Sequence, residues 1–349
     1  MKKNNYQFIH ICPDEKFIDS AISLFKEVDE GNHTFIIVSK EKSLRYIKSK
    51  NVKTLSPIKL YVHILRNRTV LRNKVIILHS SPRFSKIVTL ILHKETKIVW
   101  IGFGYDYYCY KNNNSSNYIK ATLNHLFLKR VDFFSPVLEE EYNIVKDFEP
   151  NFSAQLLSWN YDVISNFLKS DITINNKNIL LGNSATLTNN HFDILYKLPD
   201  LNLDENRKII IPLSYGSNEY KSQIIEYINS SSLNIIPIND FINQHEYYEL
   251  LSSCSHVIMN HDRQQAYGNI MMSLFLGAKI FMKKTNPLYN NLLNKGFYIY
   301  PVDDIKNGLI DDLDETKKSE NKKLMLAYFS RECFLSRTKD FIKCINLQS

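Results

Sequence analysis

The second half of the chain is punctuated by short, continuously apolar runs at residues 179–181, 208–213, 234–238, 256–259, 279–282 and 297–300, with helical spacing between them. Runs that lack the polar alternation of a half-exposed strand belong in a parallel sheet covered by helices on both faces. The first half repeats the pattern, with strand-like runs at 7–11, 34–38, 75–78, 97–101 and 131–134. Ile18, Ala21, Leu24, Phe25 and Val28 recur at helical spacing before Gly31-Asn32 stops the helix. Ser81-Pro82 opens another that continues through 87–92, and a third covers 118–128.

At 349 residues the chain exceeds what one core usually organises. The aromatic and polar stretch 148–169, followed by polar residues 170–178, marks the boundary. The expected fold is α/β, with two Rossmann-like doubly wound domains at 1–170 and 171–325 facing an interdomain cleft. Residues 321–344 read as helical, with Leu324, Tyr328, Cys333 and Phe341 turned inward. A C-terminal helix over 326–349 is expected to close the structure and pack back toward the N-terminal domain.

Three polar segments follow apolar runs in the second domain: Leu180-Leu-Gly-Asn-Ser-Ala185, Pro212-Leu-Ser-Tyr-Gly216 and His261-Asp-Arg-Gln-Gln-Ala-Tyr-Gly-Asn269. In a doubly wound sheet the strand ends face one crevice, so these loops predict a ligand with several polar parts. Gly182, Asn183 and Ser184, with Thr188, Asn189 and His191 ahead of the next helical pattern, offer amides and hydroxyls to a diphosphate. A plain turn with a helix cap at Thr188 or Asn189 explains them individually. Ser214, Tyr215 and Gly216 supply a hydroxyl, a ring for a sugar or base, and room for close backbone approach; a capped turn with a surface tyrosine is the alternative. Arg263 can hold phosphate or stabilise a departing nucleoside diphosphate, each such charge-assisted bond being worth roughly 1.5–3 kcal/mol. An ion pair with Asp262 or Glu249 is its structural alternative. Gln264, Gln265, Gly268 and Asn269 complete the cluster, and Gln265 and Asn269, four apart on one expected helix face, can hold ribose or sugar hydroxyls.

In the first domain Trp100-Ile-Gly-Phe-Gly-Tyr-Asp-Tyr-Tyr108 ends a strand with glycines, an acid and aromatics. Asp106 reads either as a general base for an acceptor hydroxyl or as a loop cap. His10, at the end of the first strand, reads either as a cleft residue or as a satisfied core histidine. Gly102 and Gly104 do not make a dinucleotide fingerprint, which weighs against a Rossmann-type oxidoreductase.

Lysine and arginine number 44 against 36 aspartates and glutamates, a formal +8 that admits polyanions, anionic membranes and phosphorylated ligands. Basic residues concentrate modestly at 59–74, with Arg66, Arg68 and Arg72, and at Lys129-Arg130. No zinc-finger spacing, basic-region heptad or RNP-like string appears, so nucleic acid is not an expected partner. The odd, scattered cysteines (Cys12, Cys109, Cys254, Cys333, Cys344) argue against a disulfide framework and for a reducing cytoplasm. No His-Glu-x-x-His or paired-cysteine motif implies a tightly held metal, and no cofactor is expected. Met1-Lys-Lys-Asn-Asn-Tyr leads into the first strand without a long apolar signal region, and no apolar stretch reaches bilayer length, so membrane contact is expected to be peripheral.

The architecture resembles that of the GT-B glycosyltransferases. The blocks from Leu181 through His191, Pro212-Leu-Ser-Tyr-Gly216 and Arg263-Gln-Gln-Ala-Tyr-Gly-Asn-Ile270 resemble those of the bacterial 4-acetamido-4,6-dideoxygalactose transferases, the TDP-Fuc4NAc:lipid II N-acetylfucosaminyltransferases. Trp100 with Phe103-Gly-Tyr-Asp-Tyr-Tyr108 resembles that family's tryptophan and Trp-Gly-Ala-Asp-Leu-Tyr segment, Phe103 standing where the family has tryptophan. His10-Ile-Cys-Pro-Asp14 loosely resembles its His-Ile-Leu-Gly-Ser-Asp start. The resemblance implies a peripheral enzyme at the cytoplasmic face of the bacterial inner membrane. Its donor would be a dTDP-sugar and its acceptor a polyprenyl-diphosphate-linked saccharide of enterobacterial common antigen or O-antigen synthesis, with residues 59–74 against anionic headgroups. Arg263, Asp106 and His10 are the candidate catalytic residues. A GT-B transferase with another nucleotide sugar and acceptor is the alternative.

Overall fold

The computed structural model describes residues 7–41, 43–111, 118–201, 203–309 and 311–347; Met1 to Tyr6 lie outside them. The chain divides into two compact units, Met1–Val163 with Arg331–Ser349, and Ile164–Ser330. The sequence had suggested 170/171 and 325/326 as the breaks. Residues 164–169 keep company with the second unit instead, because Phe167 packs its ring edge-on against Tyr248 and Phe275.

The first unit runs β1 (Phe8–Pro13), α1 (Ile18–Val28), β2 (His33–Val38), β3 (Lys53–Leu55), α2 (Pro57–Arg66), β4 (Val75–His79), α3 (Arg83–Ile91), β5 (Lys97–Ile101), α4 (Tyr105–Lys111), α5 (Tyr118–Leu128), β6 (Phe133–Ser135), α6 (Tyr142–Phe148) and β7 (Gln155–Leu156). Among the described residues its seven strands are all parallel, in the order β3-β2-β1-β4-β5-β6-β7. β4 is buried along its whole length, as a central parallel strand with both faces covered must be.

The second unit follows with β8 (Asn178–Leu181), α7 (His191–Leu195), β9 (Ile209–Pro212), α8 (Asn218–Ser230), β10 (Ile235–Ile238), α9 (Gln244–Ser252), β11 (Cys254–Met259), α10 (Tyr267–Leu276), β12 (Lys279–Met282), α11 (Pro287–Asn294), β13 (Tyr300–Pro301), α12 (Ile305–Gly308) and α13 (Glu315–Phe329). Its sheet is also parallel, in the order β10-β9-β8-β11-β12-β13. In both units the order reverses beside the first strand, between β1 and β4 and between β8 and β11. That reversal opens a crevice at the strands' carboxyl ends where ligands bind in doubly wound folds.

The C-terminal helical stretch is two helices rather than one. Ser330, extended at φ −65° and ψ 161°, separates α13 from α14 (Arg331–Leu347). α14 returns to the first unit, where Arg331 bonds Asp162 at 3.1 Å, Glu27 at 2.7 Å and Ser23 at 2.8 Å. Phe341 packs against Phe25 and Trp159. Of the tail residues expected to point inward, Phe341 is buried, whereas Leu324, Tyr328 and Cys333 are half-buried, with Met325, Phe329 and Phe334 taking the inner positions. The indole N–H of Trp159 donates to Thr338 Oγ1 at 2.9 Å inside this contact, and Thr338 has no solvent exposure. Thr338→Val keeps the volume but orphans a buried donor, which costs about 1–3 kcal/mol. The expected result is a lower urea midpoint for the unfolding phase of the first unit, restored by Thr338→Ser.

Candidate donor site

Two chain reversals bring the loops after β8 and β9 into contact. Gly182 (φ +69°) turns the chain off β8, and Gly216 (φ +126°) turns it off β9. Gly216 pairs with Ala185 in a short parallel bridge: Ala185 N donates to Tyr215 O, and Ser217 N to Ala185 O, both at 2.8 Å. A Cβ on Gly216 would lie 2.4 Å from the Ala185 carbonyl, so only glycine permits the bridge. A Cβ on Gly182 would meet His191 Nε2 at 2.5 Å and Asn189 Oδ1 at 2.8 Å.

Asn189, fully buried, sits at the centre. Its carboxamide oxygen accepts from the Asn183 backbone N–H at 2.9 Å and from His261 Nε2–H at 2.8 Å, and its nitrogen donates to Ser184 Oγ and Thr186 Oγ1. The expected helix cap at this position is absent: α7 starts after Asn190, a left-handed residue without a side-chain cap bond. Around this hub, Asn183 Nδ2 donates to Tyr215 Oη at 2.6 Å, and Gln265 Nε2 donates to Asn183 Oδ1 at 2.9 Å. The Thr188 hydroxyl donates to Gln265 Oε1 at 2.7 Å. Three loops separated by tens of residues thus form one hydrogen-bonded cluster at the carboxyl ends of β8, β9 and β11.

Arg263 is half-buried and close enough to Tyr215 for its charge to oppose the upward pull of burial on the phenol. The carboxylate of Asp262 is engaged by Lys283 Nζ at 2.9 Å and Asn190 Nδ2 at 2.9 Å. The loop that carries them is held from below by Asn286, which is fully buried and donates to the carbonyls of His261 (3.1 Å) and Arg263 (3.0 Å). α10 begins only at Tyr267, after the left-handed Ala266, with neither a side-chain cap nor an acid in its first turn. Gln265 therefore lies outside the helix and shares no helical face with Asn269, contrary to the sequence reading. Asn269, in the first turn, bonds the Tyr247 phenol instead. Gln264 is buried, Ser214 and Gly268 are half-buried, and His191 presents its backbone N–H to Tyr220 Oη at 3.0 Å. Thr186, Asn190, Asn260 and Asn286 belong to the same network. Their signal in the sequence is only that they flank the three motifs or cap a following helix.

The first-unit candidates have other surroundings. Asp106 is buried and accepts from Phe103 N (2.9 Å), Trp100 Nε1 (3.0 Å) and Ser81 N (3.0 Å), clamping the loops after β4 and β5 together. Burial raises its carboxyl above the ordinary range despite these bonds. His10 has no exposure, and both ring nitrogens are occupied, Nδ1 with His79 Nε2 at 2.9 Å and Nε2 with His33 Nδ1 at 2.8 Å. The arrangement is the core-histidine alternative, one link in a chain that ends at Tyr161 Oη, 2.6 Å from His79 Nδ1.

Among the described residues no group of three or more His, Cys, Asp or Glu side chains could hold a metal ion, and no helix is long and apolar enough to cross a membrane.

Residues 16–344 match the family described as 4-alpha-L-fucosyltransferase, glycosyl transferase group 56. Among solved structures, a glycosyltransferase from Rickettsia africae ESF-5 is similar with a TM-score of 0.69 at 15% identity, over 99% of this chain and 100% of that one. The lipopolysaccharide outer core galactosyltransferase WaaB gives 0.69 at 7% identity, over 97% and 99% of the two chains. A UDP-forming trehalose-phosphate synthase from Burkholderia xenovorans gives 0.68 at 9% identity, over 99% of each. At these identities the likeness is one of fold, and the fold is GT-B.

Two predictions follow from the buried polar groups. Burial holds the imidazoles of His79 and His261 at about 3 and those of His33, His191 and His256 at about 4, all below the ordinary 6.5. Each is neutral when folded and takes up a proton on unfolding below pH 6.5, so the unfolded state binds more protons. Stability is complete above pH 6.5 and falls as pH drops toward 4, by up to about 1.4 kcal/mol per pH unit for each histidine. Urea midpoints measured across that window should decline steeply; a flat profile contradicts the neutral assignment. Gly216→Ala should open the Ala185 bridge and lower stability by about 1–3 kcal/mol, read from the unfolding phase of the second unit.

Proposed function

The chain belongs to the 4-alpha-L-fucosyltransferase family, glycosyl transferase group 56, and we propose that it moves a deoxyamino sugar, Fuc4NAc-like, from a dTDP-sugar donor onto an undecaprenyl-diphosphate-linked saccharide. The setting is surface-polysaccharide synthesis, of enterobacterial common antigen or O-antigen, by an enzyme peripheral to the cytoplasmic face of the inner membrane. The observation that carries the donor half of this reading is the single cluster formed by Asn183, Tyr215, Gln265 and Asn189, with Arg263 beside Tyr215.

Its chemistry suits a sugar nucleotide. When the glycosidic bond to the donor breaks, negative charge builds on the leaving diphosphate, and preorganised donors aimed at that charge lower the barrier. Arg263 supplies a fixed positive charge there. The start of α10, with no side-chain cap from Ala266 and no acid in its first turn, supplies partial positive charge from the helix end. The half-buried hydroxyls of Thr186 and Thr188 and the amide of Gln265 are of the type that bonds sugar or ribose oxygens, and the exposed ring of Tyr215 offers a face to the base or sugar.

Removal of the guanidinium by Arg263→Ala should lower kcat by about 10²–10³, the usual cost of one charge-stabilising donor, with the fold intact by circular dichroism. dTDP should raise the melting temperature of the wild type and do so less in the variant, whereas NAD(H) should leave both unchanged. Wild-type turnover in Arg263→Ala would remove this residue from the reaction.

A further inference from the structure

Residues 42–94 contain thirteen lysines and arginines and no aspartate or glutamate, while the rest of the chain carries 31 basic residues against 36 acidic ones. The formal positive charge of the protein therefore originates in this one segment. α2 lies within it and is unusual for a surface helix. Its inner line, Leu60 and Ile64, is fully buried in the first unit's core. Its outer line is apolar as well: Ile58, Val62 and Leu65, spaced i, i+4 and i+7, are 74%, 40% and 55% exposed, and Val70 just beyond is 64% exposed. A helix facing only water carries polar residues on that side. Single exposed apolar side chains are ordinary, but an aligned row of them beside cations marks an interaction surface.

The cations border the row. Lys59 and Arg66 are exposed and line one open groove along the helix with Ile58, Val62 and His63. Arg68 and Arg72 are exposed beyond its end, Arg68 donating to the Leu92 carbonyl and Arg72 paired with Glu95. Lys53 lies 3.5 Å from His63, and Arg83 is near Tyr61. Apart from Glu95, the charged neighbours of α2 in this region are positive.

We propose that the outer face of α2 is a membrane-docking surface that seats Ile58, Val62, Leu65 and Val70 at the acyl boundary of an anionic bilayer while Lys59, Arg66 and Arg68 meet its headgroups. The proposal rests on the lipid-linked acceptor of the proposed reaction. Shallow apolar insertion and cationic attraction are each weak anchors, and stable peripheral binding needs both. The helix is held flat against the protein by its own buried line, so its outer row faces outward without unfolding.

Co-sedimentation of the full chain with phosphatidylcholine vesicles, and with vesicles also containing phosphatidylglycerol, tests this directly. The wild type should bind the anionic vesicles and leave the neutral ones. Ile58→Glu/Leu65→Glu should weaken anionic binding by about tenfold or more, and Ile58→Ser/Leu65→Ser should weaken it as well, with melting temperatures like the wild type's. Lys59→Gln/Arg66→Gln should weaken binding and flatten its salt dependence. Unchanged vesicle binding by the Glu variant, no binding by the wild type, or equal binding to neutral vesicles would overturn the proposal. So would tighter capture of a single-stranded oligonucleotide that the Glu variant leaves unaltered. Transfer to a water-soluble, short-chain acceptor analogue separates the two readings. Vesicle binding through α2 without any sugar transfer would leave the surface standing and defeat the reaction; transfer without vesicle binding would do the reverse.

Discussion

The candidate site depends on one buried carboxamide. Asn189 accepts from the loop after β8 and from His261 after β11, and donates back to Ser184 and Thr186. Neither isosteric substitute could do this. Aspartate would lose both donors and place a charge in a fully buried position, and leucine would take the acceptor away from the Asn183 N–H and the His261 Nε2–H. Because that hub fixes Asn183, the outer bonds to Tyr215 and Gln265 acquire their geometry at little further entropic cost. Preorganisation of this kind matters for a diphosphate, whose oxygens demand donors already in place when charge develops. Charge enters the network at its edge, where Asp262 bonds Lys283 and Asn190 and Arg263 follows it in the chain.

The same topology is used differently in the two units. At the strand-order reversal of the second unit, polar loops turn outward from β8 and β11. At the equivalent place in the first unit, β1 and β4 turn His10 and His79 inward among Phe25, Phe35 and Trp159. The resulting chain has one electrostatically acceptable direction. Tyr161 donates to His79 Nδ1, His79 Nε2–H to His10 Nδ1, and His10 Nε2–H to His33 Nδ1. His33 then presents its remaining N–H toward Asp29, 3.9 Å away. The reverse order would set a lone pair against that carboxylate. All three imidazoles are thus fixed as neutral Nε2–H tautomers, consistent with pKa values that burial depresses.

How much of this could be read from the residue order depended on the range of the physical signal. Strands 97–101 and 279–282 and helices 18–28 and 118–128 appear with the bounds their periodicity indicates. Burial on both faces leaves a continuous apolar run, and an amphipathic helix repeats its own pattern. The three polar loops of the second unit were visible because each is a local break from apolar to polar. β3 and α2 were hidden: Lys53–Leu55 is too short to show a period, and the outer row of α2 blurs its amphipathic pattern. The place of Gln265 was misread because the left-handed turn at Ala266, a residue that rarely adopts it, delays α10. The histidine chain joins residues 69 and 82 apart, and no local pattern carries that pairing. The capping role of Asn286 is local, but its hold on the Arg263 loop spans more than twenty residues and has no local pattern.

The departure at Phe103 shows why an altered motif can keep its architecture. The loop after β5 is anchored by Asp106, whose bonds to Trp100 Nε1 and to the backbone N–H groups of Phe103 and Ser81 require nothing of the side chain at 103. What that side chain contributes is an apolar body: Phe103 meets Phe17 edge-on at 4.7 Å and Tyr161 at 5.3 Å. An indole in its place would add area and an N–H that needs an acceptor. Phenylalanine satisfies the packing without that demand. Tyr161, pressed by Phe103 on one side, is bonded through its hydroxyl to His79 on the other, so the aromatic at 103 also steadies the first link of the histidine chain. The glycine at 102 completes the arrangement. A Cβ there would lie 2.5 Å from the Tyr107 ring, and Tyr107 must stay where it is because its hydroxyl holds the buried Glu141. The side chain at 103 is therefore outside the Asp106 clamp, whereas Trp100, Gly102 and Asp106 each make a contact on which the loop depends.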